Sequence, residues 1–340
     1  MRAGSCFLSV LLVLYAGMAG AQSVLPETDI TGSRPNAGGP PDEILVHVGL
    51  LDIVGIQDRE KLFTVDLYTE IRWHDPRLAL PDPNAASLRT LPLSDIWTPR
   101  LTIINNRGLD SLLPEVATVD AQGNVVTRLR VAGPLAVDLR LHDFPFDAQR
   151  LPIEIVSYQY GSNEIAFSED SEMIARLDEL SGDGWEYSAI APERTVFRLR
   201  DDGGGAAGLT FAAVAKRDAT YYLLTLALPM TLILFLAWMA HWIPVELHPA
   251  RMGTASATVF SLIALGISFR LTLPKITYLT VADRFSLFAT ILVLVSLAIT
   301  IITIRWASTD RKDAAERLAR QTRLAFPFLY GLVVLLTFIT

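Results

Sequence analysis

The sequence predicts an all-β extracellular sandwich followed by an all-α bundle of four transmembrane helices. Three observations predict it. Four apolar runs crowd the last third of the 340-residue chain, each near the ~20 residues that a helix rising ~1.5 Å per residue needs to cross ~30 Å of hydrocarbon. Before them lie short alternating runs punctuated by Gly, Pro, Asn and Asp, the mark of a β-sandwich. At the front, Arg2, the run CFLSVLLVLYAGMAG and a small-residue site at Ala19-Gly20-Ala21 have the form of a secretory signal.

Residues 1–21 are therefore expected to be a signal peptide, and 22–42, rich in Pro, Gly and polar residues without a period, a disordered leader. Residues 43–217 are read as one immunoglobulin-like sandwich exported to the outer face. Within VDLYTEIRW, alternation puts Val65, Leu67, Thr69, Ile71 and Trp73 on one face and Asp66, Tyr68, Glu70 and Arg72 on the other. The sole cysteine, Cys6, falls in the signal, so the sandwich holds by packing alone and neither thiol chemistry nor a cysteine zinc site is expected. No metal or cofactor is implied.

Residues 218–340 are read as the bundle, with spans at about 219–240, 251–271, 283–304 and 324–340 and a cytoplasmic loop at 305–323. Pro229 is expected to kink the first span. The loop carries six Arg or Lys against three acids, which places it inside and the C-terminus outside. The second span is uncharged between Arg251 and Arg270, yet keeps Thr254, Ser256, Thr258, Ser261 and Ser268. A lipid-facing helix has little use for these, so they point to a helix lining water. The net charge of −7 comes without a basic stripe, so no nucleic-acid partner is expected. Nucleophile elbow, HExxH and phosphate-cradling loop are all absent from the sequence, which argues against an enzyme.

Several short motifs recur in a fixed order: Val48-Gly49-Leu50-Leu51-Asp52, Trp73-His74-Asp75-Pro76-Arg77-Leu78, Ile96-Trp97-Thr98-Pro99, Phe144-Pro145-Phe146-Asp147, Tyr221-Tyr222-Leu223 with Pro229, and Leu273-Pro274-Lys275. In that order the chain resembles the pentameric ligand-gated ion channels, the Cys-loop superfamily, in its bacterial form. The resemblance implies a homopentamer in the bacterial inner membrane with a periplasmic N-terminal domain, surrounded by membrane lipids and conducting inorganic ions. The disulfide of animal members is absent, its two positions being Val137 and Leu151.

The same resemblance assigns candidate sites. Asp147 and Arg217 are expected to pair where sandwich meets membrane, with Pro274 and Lys275 as the moving element. Pro249-Ala250-Arg251-Met252-Gly253 resembles the pore entrance of glycine and γ-aminobutyric acid receptors; Arg251 and Arg270 are then expected to set a positive potential favouring chloride. A gapless match turns Gly253, Ala257, Phe260, Ala264, Ile267 and Leu271 toward the pore axis, whereas periodicity alone selects Thr254, Thr258, Ser261 and Ser268, a stripe rotated by ~100°. An agonist box between sandwiches is implied at Tyr68 and Tyr158 with Tyr160 nearby. Ile104 stands there in place of an aromatic residue, and the flexible run Arg200-Asp201-Asp202-Gly203-Gly204-Gly205 replaces the capping hairpin. Small-molecule agonist and proton both remain open as triggers; His241 and His248 flank the inner mouth. A cation-selective channel using Glu246 and a non-conducting ligand-binding or assembly protein stay as alternatives.

Overall fold

The computed structural model describes residues 30–82, 87–175, 180–198, 205–271, 275–309 and 311–339. The expected signal, most of the capping run and Pro274 lie outside the described residues. The sandwich is built from β1 (Asp42–Gln57), β2 (Leu62–His74), β3 (Arg89–Pro92), β4 (Leu101–Ile103), β5 (Asp110–Ser111) and β6 (Val116–Val119), followed by β7 (Asn124–Ala136), β8 (Ala148–Gly161), β9 (Ile165–Phe167), β10 (Glu172–Ala175), β11 (Trp185–Phe197) and β12 (Ala206–Arg217). One sheet runs β10-β1-β2-β7-β6-β3, with β5 on β7 and β9 on β1; the other runs β11-β12-β8-β4.

Alternation decides which faces meet. Val65, Leu67, Thr69, Ile71 and Trp73 on β2 are all buried, as are Leu151, Ile153 and Ile155 on β8 and Leu209 and Phe211 on β12. Their apolar members fuse into one core between the sheets. Val137 and Leu151, the two positions of the missing disulfide, are both buried in that core, so apolar contact replaces the covalent link.

The leader differs from expectation. Within residues 30–41, Arg34 is buried and pairs with Asp42 at 3.0 Å, while Arg77 donates to the Ser33 carbonyl at 2.9 Å. The turn is ordered by charge and backbone acceptors, which a reading of composition does not see.

Four helices are long and apolar enough to cross a membrane: α1 (Thr220–Trp242), α2 (His248–Arg270), α3 (Val281–Ala307) and α4 (Lys312–Ile339). In α1 a π-helical turn over Leu223–Ala227 precedes Pro229, the Leu228 amide reaching back to the Leu223 carbonyl. Such a turn widens the ladder where proline can neither donate nor clear the preceding carbonyl. The expected loop at 305–323 is mostly helix: α4 starts at Lys312, and Ala315, Ala319, Thr322 and Phe326 are buried at i, i+4, i+7 and i+11. A small-residue stripe packs there, against Val245 and Ala307, on a turn whose charges had read as loop.

Pro327 lies inside α4 and has no N–H to offer the Arg323 carbonyl four residues back. The Trp238 indole of α1 donates to that carbonyl instead, at 2.9 Å. Nearby, Arg323 Nε donates to the His241 carbonyl (2.8 Å) and the Thr231 and Tyr330 hydroxyls bond at 3.0 Å, so α4 docks on α1 through polar contacts. Trp238→Phe is expected to lower thermal stability by about 1 kcal/mol. The loss should shrink in a Pro327→Ala background, where the backbone regains its own donor; a double-mutant cycle on the purified protein measures the difference.

Candidate functional site

The junction of sandwich and bundle is built around Arg217, the last residue of β12. Its Nε donates to Asp147 Oδ1 at 2.8 Å and its terminal nitrogens to Asp58 at 2.8 Å. The Arg217 and Asp147 side chains are almost fully buried, and Asp58 is 12% exposed. The guanidinium carbon lies 4.1 Å from the Trp185 ring centroid, 4.7 Å from Phe144 and 5.5 Å from Tyr222, within cation–π range. Burial works against the charge, but the hydrogen bonds and charges of Asp58 and Asp147 outweigh it and raise the Arg217 pKa further. Gln149 donates to Asp147 and bonds both backbone groups of Arg140 at 2.9 Å, so the carboxylate is held from behind.

The segment Phe144-Pro145-Phe146-Asp147 makes the rest of the joint. Phe144 is fully buried, with its ring 4.7 Å from Tyr222 of α1 and 6.0 Å from Phe269 of α2. Phe146 reaches Phe338 of α4 at 5.8 Å. The amides of Val281 and Ala282, opening α3, donate to the carbonyls of His142 (3.1 Å) and Phe144 (3.2 Å). One loop of the sandwich thus touches all four helices. The Tyr278 hydroxyl accepts from the Leu141 amide at 3.0 Å and its ring stacks on His142 at 3.8 Å. Contact from the linker after α2 is therefore made by Tyr278. Lys275 is exposed, and Pro274 lies outside the described residues.

On α2, Gly253, Ala257, Phe260, Ala264 and Ile267, with Leu271 just past its end, are all exposed on the chain's own bundle. The polar stripe is split: Ser261 and Ser268 are exposed as well, Thr254 is half-buried, and Thr258 is 4% exposed and donates to the Ala255 carbonyl at 2.8 Å. Arg251 corrects an expectation. Its side chain turns into the bundle at 0% exposure, one terminal nitrogen lies 3.3 Å from His241 Nδ1, and Nε and the other terminal nitrogen have no partner. It cannot ring an axis from there. His241 is likewise buried, bonded to Ser296 Oγ at 2.8 Å, and meets no solvent at the mouth. Arg270, at the other end, is exposed.

The agonist candidates lie on both sheets. Tyr68 sits half-buried on the wet face of β2, between Asp66, paired with Arg130 at 2.8 Å, and Glu70, paired with Arg128 at 2.8 Å. Burial pushes the Glu70 carboxyl up, but Arg72 and Arg128 hold it below its ordinary pKa. Tyr158 on β8 and Ile104 just beyond β4 are exposed, on the second sheet. Tyr160 departs from expectation: it is buried, with its hydroxyl accepting from Trp97 Nε1 at 2.8 Å. It joins the core past an irregularity in the β8–β12 pairing, where the alternation that buries Leu151, Ile153 and Ile155 is broken.

Residues 31–191 match the family profile of the neurotransmitter-gated ion-channel ligand binding domain, and residues 226–328 that of the neurotransmitter-gated ion-channel transmembrane region. The chain belongs to the neurotransmitter-gated ion-channel family. It is similar to the gamma-aminobutyric acid receptor subunit pi of Bos taurus and of Rattus norvegicus, 26% identical to each over 250 residues, or 71% of this chain and 56% of each relative. The chain thus spans little more than half the length of the curated relatives it matches.

As a member of this family of ligand-gated channels, the protein is not an enzyme. The two matched segments carry Asp58, Asp147, Tyr68 and Tyr158 on one side, and all of α2 on the other. Arg217 falls between them, the residue that ties the domains. Asp58, Trp185 and Tyr278 were missed from sequence, and Tyr222 stood only in a motif without a role; a lone acid in a turn and scattered aromatics carry no local signal, and three-dimensional convergence reveals them. Removing one partner of a buried pair typically costs about 3–5 kcal/mol. Asp147→Asn should therefore lower the thermal midpoint clearly more than Asp58→Asn, whose carboxylate is partly solvated, as scanning calorimetry on the purified protein would show.

Proposed function

We propose that five copies of the chain form a ligand- or proton-gated ion channel selective for anions, in a bacterial inner membrane with the sandwich and C-terminus on the periplasmic side. The observation that carries the pore assignment is the stripe Gly253, Ala257, Phe260, Ala264 and Ile267, which the chain's own bundle leaves uncovered. It contains no carboxylate. The bacterial setting is favoured by the apolar residues at the two disulfide positions, Val137 and Leu151.

Anion preference does not rest on a ring of Arg251 side chains. It rests on α2 beginning at the inner mouth with no acid in its first turn and no side-chain cap. Five such termini present free N–H groups and positive dipole ends, and the buried, acid-free Arg251 adds its charge through low-dielectric protein. The relatives' γ-aminobutyric acid receptor names accord with this. Glu246, exposed two residues before α2, favours the cation-selective reading and is the residue to test. Phe260 is 72% exposed; with Ile267 it forms an apolar constriction that gates by dewetting.

An agonist site between subunits is supported by Tyr68 and Tyr158 lying on different sheets, so that one subunit offers each face. Asp147 and Arg217 would then carry ligand-induced sandwich motion through Phe144 and Tyr278 to α2 and α3.

Current from the purified protein in planar bilayers under a tenfold KCl gradient tests the reading. The reversal potential should lie near the chloride value and stay there in Glu246→Gln. Ala250→Glu, which places a carboxylate at the exposed first turn of α2, should move it toward potassium. A wild-type value near potassium would overturn anion selectivity. Phe260→Ala should raise open probability severalfold in single-channel records.

A further inference from the structure

The face that α2 turns to its own bundle is made by Arg251, Ala255, Thr258, Leu262 and Phe269. Their spacing of i, i+4, i+7, i+11 and i+18 is one stripe of a helix, where packing asks for small or apolar residues. The first of them is an arginine, and nothing compensates it. Its Nε and one terminal nitrogen meet no acceptor and offer no surface that a water could reach; the other terminal nitrogen has His241 Nδ1, at 3.3 Å. A guanidinium can only donate. Nδ1 therefore accepts, and Nε2 carries the ring proton and donates it to Ser296 Oγ at 2.8 Å. The partner of this buried cation is a neutral imidazole.

Its surroundings add to the cost. The first turn of α2 is the positive end of a helix dipole, and a second cation, Arg323, donates to the His241 carbonyl at 2.8 Å. Because Arg251 is fully buried within one chain, a neighbouring copy cannot supply the missing acceptor. A buried cation without a partner is strongly unfavourable, yet its release is close at hand. Ala250, Met252 and Gly253, beside it on α2, are exposed, and nothing lies within 4 Å of the point where a side chain on Gly253 would begin.

We propose that Arg251 is a strain built into the resting packing that favours opening. Movement of α2 away from α1 and α3 returns the guanidinium to water at the inner mouth, and that gain offsets the cost of separating Ala255, Leu262 and Phe269 from the bundle. Phe269, at the other end of the same stripe, lies 6.0 Å from Phe144 of the sandwich, so the joint and the strained cation act on one helix face. The inference rests on α2 as the pore helix and does not depend on anion preference.

Arg251→Met tests it, since methionine is unbranched, apolar and suited to the stripe. In scanning calorimetry of the purified full-length protein the thermal midpoint should rise by several degrees, the reverse of what removing a satisfied arginine does. Arg270→Met, at the exposed outer end of α2, should leave the midpoint within about 1 °C. In single-channel records Arg251→Met should lower open probability severalfold, whereas His241→Leu, which removes the one acceptor, should raise it. A midpoint that falls or does not move in Arg251→Met, or a variant that fails to fold, means that the guanidinium is satisfied where it lies and overturns the proposal. A raised midpoint with unchanged open probability overturns it too, because the strain would then have no part in gating. The midpoint is read without current, so it is independent of the reversal potential.

Discussion

A single buried cation, Arg217, organises this molecule. It ends β12, stands at the threshold of α1, and is neutralised from two separate turns of the sandwich by Asp58 and Asp147. A charge so enclosed is tolerated only when every donor finds a partner. That requirement fixes the Phe144–Asp147 loop, and the loop fixes the helices: Phe144 touches α1 and α2, Phe146 touches α4, and two carbonyls of the loop region receive the first amides of α3.

Within the bundle the same accounting applies with fewer solutions. The π-helical turn before Pro229 and the Trp238 indole serving the carbonyl freed by Pro327 are two ways of satisfying a backbone that proline has interrupted. Arg251 is the exception, its guanidinium buried beside His241 with two nitrogens unpaired. An uncompensated cation near the start of α2 is a source of field rather than a surface for ions to touch. In the anion channel proposed above, selectivity would then rest on the architecture of the mouth, with helix termini and buried charge acting together.

Much of this was legible in sequence because periodicity reports burial. The period-two pattern of β2 gave its buried face residue by residue, and the apolar runs gave four spans. The Asp147–Arg217 pair was reachable through the motif Phe144-Pro145-Phe146-Asp147. What sequence did not carry was side-chain direction where two faces compete. Arg251 reads as a mouth residue by position, yet its helical angle aims it inward. Tyr160 reads as a surface aromatic, yet the alternation of β8 breaks between Val156 and Gly161, at an irregularity in its pairing with β12, and Tyr160 ends up buried against Trp97. The amphipathic start of α4 was hidden because alanines at Ala315 and Ala319 bury well but weigh little in hydropathy. Asp58 and Tyr278 depend on contacts across more than a hundred residues, which no local window spans.

The joint between Val281, Ala282 and the carbonyls of His142 and Phe144 is made of main chain alone. A helix normally leaves its first amides to water or to a capping side chain; here a loop from another domain supplies the acceptors and so acts as the missing turn of α3. Substitution can loosen the side-chain clamp around Arg217, but of the exchanges possible at Val281 and Ala282 only proline removes the donor of either bond. The sandwich is therefore spliced to the third helix by bonds that most substitutions leave alone, and relatives sharing few residues can keep the same articulation.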